Sequence, residues 1–155
     1  MRTTVTAFIV LFVVAAAGWS GVFGDSTDAS RTASEAEVRE AVSNYANSIY
    51  LGKPELLDDS VRRDMRKVGF YRPDNASEFR AMSCMTYDEL WNLAKTFRAG
   101  GRVPEGATFE VTVLDISDQT ASAKVTAFWG QDYFHLARFD GKWMIVDIMW
   151  QSPTR

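Results

Sequence analysis

Asp132-Tyr133-Phe134-His135-Leu136-Ala137-Arg138-Phe139-Asp140-Gly141-Lys142-Trp143-Met144-Ile145-Val146-Asp147 is the stretch on which the reading of the fold turns. At its centre stands Asp140-Gly141, a two-residue hairpin signal, because a tight turn between antiparallel strands needs residues that tolerate positive φ. The flanks carry the aromatic and β-branched residues that suit a pleated, half-buried surface. They predict strands over Asp132 to Phe139 and Lys142 to Trp150. Working backwards, Phe109 to Ile116 and Ala121 to Trp129 give two more strands, with Asp118-Gln119 and Gly130-Gln131 as punctuation. Short connections make such neighbours antiparallel.

Before Pro104 the periodicity is helical. Ser34-Glu35-Ala36-Glu37 is a capping box, and Val38, Ala41, Val42, Tyr45 and Ile49 follow at helical spacing. Gly52 ends that helix. Pro54 suits the first turn of a second helix, striped by Leu57, Val61 and Met65, with Asp58–Arg62 and Asp59–Arg63 as i,i+4 pairs. Val68 to Arg72 and Glu78 to Met82 flank the turn signal Pro73-Asp74-Asn75 and predict a short hairpin. Thr86-Tyr87-Asp88-Glu89 is a second capping box; it opens a third helix whose apolar face is Leu90, Leu93, Ala94 and Phe97, stopped by Gly100-Gly101. Helices first and strands second is the order of an α+β fold.

The start of the chain reads differently. After Arg2, residues Val5 to Gly18 carry no charge, a run shorter than the roughly 20 apolar residues that span a bilayer. Its size and flanks are those of a signal peptide, with cleavage expected after Gly24. The expected organisation is therefore a signal peptide over 1–24, a polar flexible leader over 25–33 and one domain over 34–151. Export to the periplasm or the medium, with no stable membrane anchor after cleavage, is the corresponding expectation for location.

Composition narrows the function classes. The 155 residues carry a net charge of −3 and are 13% aromatic. So mild a charge gives no reason to expect nucleic acid as a partner. The basic cluster Arg62, Arg63, Arg66, Lys67 and Arg72 reads as a solvated face. One cysteine, Cys84, cannot close an intrachain disulfide and reads as a small buried hydrophobe. With a single histidine, His135, and one cysteine, the usual zinc ligand sets cannot be assembled and no metal is expected; the chain carries neither a P-loop nor a dinucleotide fingerprint, and no cofactor is expected. Asn75-Ala76-Ser77 is a glycosylation sequon.

The hairpin with its Asp-Gly-Lys-Trp turn resembles the last two strands of the nuclear-transport-factor-2-like (SnoaL-like) superfamily. Tyr45 to Lys53, Met85 to Leu90 and Phe109 to Ile116 extend the likeness, most closely to the branch called putative lumazine-binding. The resemblance covers Ser34 to Trp150. It implies a cone-shaped, curved antiparallel sheet packed on three N-terminal helices, an apolar conical pocket, and a homodimer formed through the sheet. It does not decide function, because this fold hosts isomerases, dehydratases and non-catalytic binding modules.

Three functions stay open at this stage. The first is an exported domain that binds a small apolar or aromatic molecule, with Tyr45, Trp91, Phe128 and Trp150 as candidate pocket walls. The second is an isomerase or lyase moving a proton in the pocket, with His135 as acid or base and Tyr133 as hydrogen-bond donor. Strand alternation puts Tyr133, His135, Ala137 and Phe139 on one face and Asp132, Phe134, Leu136 and Arg138 on the other, so Asp132 does not orient His135. Asp147 is a further candidate base, expected opposite a face of Met144, Val146, Ile148 and Trp150. The third is a dimerisation or interaction module without catalysis.

Overall fold

The structure, a computed structural model, describes residues 25–153 apart from position 75, and side chains from residue 28. The expected signal peptide and Asn75 of the sequon lie outside the described residues.

Helix α1 spans Asp25–Leu51. It extends well before Ser34, so the expected capping box there is not a helix start, and residues 28–33 are helical and exposed. From Val38 onward it buries Ala41, Val42, Tyr45, Ala46 and Ile49, the stripe that the spacing predicts. Gly52, at φ +66, lets the chain leave the helix, and the Lys53 N–H donates back to the Ser48 carbonyl at 2.9 Å.

The expected second helix is absent. Pro54–Leu57 makes a single 3₁₀ turn, and strand β1 runs over Val61–Tyr71. The reason lies in the spacing. Leu57, Val61 and Met65 recur every four residues, which fits a helical period and also an even-numbered strand period. The burial of Val61, Met65, Lys67 and Gly69 fits a strand, and a lysine in that series hid it. The expected i,i+4 pairs are replaced too. Arg62 holds Asp64 at 2.8 Å, Arg63 holds Asp58 at 2.6 Å, and Asp59 receives Lys142 at 2.6 Å.

Strand β2, Arg80–Met85, pairs antiparallel with β1, as the turn signal predicts. Helix α2, Tyr87–Phe97, starts on the expected capping box: the Glu89 N–H donates to the Thr86 hydroxyl, and the Thr86 N–H donates to the Glu89 carboxylate at 2.7 Å. Those bonds hold the exposed Glu89 carboxyl below its ordinary range. Among the described residues two α-helices, not three, therefore pack on the sheet.

Strands β3 (Glu110–Ile116), β4 (Thr120–Ala127), β5 (Gly130–Phe139) and β6 (Lys142–Gln151) form an antiparallel meander. The Asp140-Gly141 turn has φ of 50° and 83° and joins β5 to β6. The turn between β4 and β5 is Phe128-Trp129, two residues before the expected punctuation. The whole sheet has the order β2-β1-β6-β5-β4-β3. One neighbouring pair is parallel rather than antiparallel: β1 beside β6.

The inner face of the sheet carries Phe134, Leu136, Ile145 and Ile148, all essentially inaccessible, against α1 and α2. Tyr45 meets Phe134 edge-on with ring centroids 5.0 Å apart. Bulges bend the strands, and the one in β6 has a local effect. Leu136 faces Ile145 while His135 faces Asp147, so Val146 is the extra residue. Ile145 and Ile148 thereby both point inward, and Asp147 shares the outer side with Met144 and Met149, unlike the strict alternation expected from the sequence.

Gly69 sets the spacing of β1 against β6. A Cβ at this position would stand 1.9 Å from the Trp150 carbonyl oxygen, a backbone atom that cannot step aside alone. Gly69→Ala should destabilise the fold by about 2 kcal/mol, as overpacking does. A denaturant titration of the variant beside the wild type measures the loss.

Candidate functional site

The inner face is apolar except at one place. On β5, Asp132 shares the face of Phe134 and Leu136 and is fully buried. On β1, Lys67 is buried between Met65 and Gly69. The ammonium of Lys67 lies 2.8 Å from Asp132 Oδ1 and donates to the Tyr45 hydroxyl at 2.5 Å. Asp132 Oδ2 accepts from the Trp129 indole N–H at 2.7 Å. Four side chains from α1, β1, β5 and the β4–β5 turn thus satisfy one another in a dry environment. Burial, with the Asp132 carboxylate beside it, holds the Tyr45 phenol well above its ordinary value.

Above this polar floor opens a cavity of about 210 Å³. Its walls are Ile49 of α1, Met82 and Met85 of β2, Leu93 and Phe97 of α2, Trp129 of the turn and Trp150 of β6, with Lys67 as the one charged contributor. The Lys67 ammonium also sits 5.7 Å from the centre of the Trp150 ring. Around the rim, Phe128 packs against Tyr50, Phe97 and Trp129 at centroid separations of 5.6, 6.1 and 5.2 Å.

Of the four predicted wall residues, Trp150 lines the cavity, while Tyr45 is fully buried behind it and accepts from Lys67. Phe128 backs the walls through Phe97 and Trp129. Trp91 is half-buried on α2, under the Lys95 ammonium at 5.6 Å, and is not among the lining residues. His135 and Tyr133 stand together, but on the outer face of the sheet. The imidazole is largely exposed, 3.7 Å from Asp147 through Nδ1, and Tyr133 donates its hydroxyl proton to Gln131 at 3.0 Å. The proton-transfer pair expected in the conical pocket is therefore separated from the cavity by the sheet. Cys84, expected to be buried, is exposed on β2, the edge strand.

Sequence reasoning missed Lys67, Asp132, Met82, Met85, Leu93, Phe97 and Trp129 as site residues. The available signal was Asp132, an acid on the same strand face as Phe134 and Leu136. A buried carboxylate demands a buried cation, and Lys67 is the residue that answers.

Residues 33–151 match the family model described as "Putative lumazine-binding". No curated protein matches the chain. Among solved structures, it is similar to an NTF2-like protein of unknown function from Shewanella baltica OS155, with 15% identity, a TM-score of 0.63, and coverage of 80% of this chain and 97% of that one. An NTF2-like protein of unknown function from Methylobacillus flagellatus KT is 20% identical, with a TM-score of 0.57 over 86% of this chain and 96% of the other. A structure described as a putative scytalone dehydratase, from Novosphingobium aromaticivorans, is 12% identical, with a TM-score of 0.56 and coverage of 82% and 89%. Likeness at these identities carries the fold alone.

Two outcomes follow from the buried network. Lys67→Met leaves Asp132 buried without its cation and should cost about 3–5 kcal/mol in a denaturant titration, while Lys67→Met with Asp132→Leu should recover most of that loss. The raised phenol of Tyr45 favours the protonated form in the fold. Its contribution to stability is fully present below about pH 10, the unfolded value, and is lost as pH rises beyond it. The denaturation midpoint should fall more steeply between pH 9 and 11 in the wild type than in Tyr45→Phe.

Proposed function

The chain belongs to the family described as putative lumazine-binding, within the nuclear-transport-factor-2-like superfamily, and from that premise we propose that it is an exported small-molecule-binding domain whose ligand occupies the cavity between Trp129 and Trp150. The carrying observation is the combination of apolar walls with a single charged group at their base. Apolar surface supplies the affinity in such sites, and a few fixed polar groups orient the ligand. The charge-free run from Val5 to Gly18 supports export. A homodimer through the outer face of the sheet completes the proposal. Its support is exposed Tyr133 and Met149, paired in register on adjacent strands, with exposed Phe70 on the next strand.

Proton transfer by His135 has no comparable support, because that imidazole faces away from the cavity. Binding is accordingly the reading that the inner face favours.

A native mass spectrum of the protein purified from its own host reads all three parts together. The expected spectrum is a dimer whose subunit mass begins at Asp25 and which carries an adduct of a few hundred daltons that leaves on unfolding. A subunit retaining Met1 would refute export with cleavage. A monomer across the micromolar range would refute the dimer. An empty mass that stays empty after incubation with a panel of small aromatic compounds would refute ligand binding.

A further inference from the structure

We propose that the cavity selects an uncharged molecule, largely aromatic, that places one hydrogen-bond acceptor such as a carbonyl oxygen on the Lys67 ammonium, and that it discriminates against the carboxylate of the same skeleton. This rests on the ligand-binding reading above and specifies its ligand class.

A lysine ammonium has three N–H bonds to place. Lys67 gives one to Asp132 Oδ1 and one to the Tyr45 hydroxyl, and no third acceptor is recorded for it among the described residues. Lys67 lines the cavity, its ammonium lies 5.7 Å from the centre of the Trp150 ring, and the surrounding walls are hydrocarbon, thioether and indole. An acceptor on the ligand completes the ammonium's set with a charge-assisted hydrogen bond, the stronger kind.

The ammonium is already balanced by Asp132, and both carboxylate oxygens are engaged, Oδ1 by Lys67 and Oδ2 by Trp129. Among the described residues no second cation lines the cavity. A ligand carboxylate there would bring an uncompensated negative charge between apolar walls beside Asp132, which is costly. A neutral carbonyl takes the same hydrogen bond without that cost. Shape adds the aromatic body: two indole rings and Phe97 contribute flat surfaces, while Met82 and Met85 adapt to the outline.

Three naphthalenes substituted at one position separate the possibilities: the methyl ketone, the ethyl hydrocarbon and the carboxylate. Each is titrated into the purified protein while the indole N–H signals of Trp129 and Trp150 are followed by NMR. The ketone should bind at least about tenfold more tightly than the carboxylate, and its methyl group should give nuclear Overhauser contacts to the Lys67 ε-methylene. In Lys67→Met with Asp132→Asn, which keeps the site neutral, the ketone should weaken by about tenfold, the size of one charge-assisted hydrogen bond. The hydrocarbon should change less than about twofold, because it makes no such bond. A carboxylate that binds as tightly as the ketone overturns the charge argument, and a ketone bound away from Lys67 overturns the donor argument. Both of those outcomes leave the ligand-binding reading standing. If no compound moves either indole signal, that reading falls, and this inference with it. The wild-type titrations decide even if the double variant does not fold.

Discussion

The contact between Lys67 and Asp132 joins strands that are not neighbours. β6 runs between β1 and β5, and the lysine must cross it to reach the carboxylate. In register terms, Lys67 lies in the row of Ile148 and Phe134, and Asp132 in the row of Trp150 and Gly69. Adjacent strands are roughly 4.8 Å apart, so the pair spans two strand spacings on the concave side of the sheet. A buried charge cannot be left alone, and neither residue has another ion-pair partner among the described residues. The position of β1, the parallel pairing with β6 and the placing of the Phe128-Trp129 turn must all be compatible with that one bridge.

The sheet consequently has two chemically distinct sides. Inside, apolar side chains dominate, and Lys67, Asp132, Tyr45 and Trp129 satisfy one another. Outside, Arg66, Asp147, His135 and Ser122 form a polar row beside the row of Val68, Met149, Tyr133 and Lys124. Moving a residue by one position along a strand exchanges these environments. This is why His135 and Phe134, adjacent in the chain, sit in water and in the core.

The parts of the fold legible in sequence were those with local chemistry of their own. Thr86 and Glu89 cap α2, Gly52 ends α1, and Asp140-Gly141 turns β5 into β6, each by interactions confined to a few residues. The first half of β1, Val61 to Lys67, was not legible, because a spacing of four satisfies both periods and the deciding residue, Lys67, is a charge whose partner lies 65 positions away. Most of the cavity was hidden for a related reason. Met82, Leu93, Phe97 and Trp129 are unremarkable apolar residues until the sheet order brings their elements together. Trp150 was legible as a wall, since an aromatic near the end of an apolar strand has few other roles.

The extra residue in β6 has a bearing on how chains of this kind diverge. Because Val146 faces no residue of β5, removing it would restore strict alternation and leave Trp143, Ile145, Ile148 and Trp150 on the side they now occupy. Position 146 is thus where the strand can change its length by one unit without exchanging core for surface. What would change is the local twist, and with it the angle at which the last turn of the strand presents its indole ring.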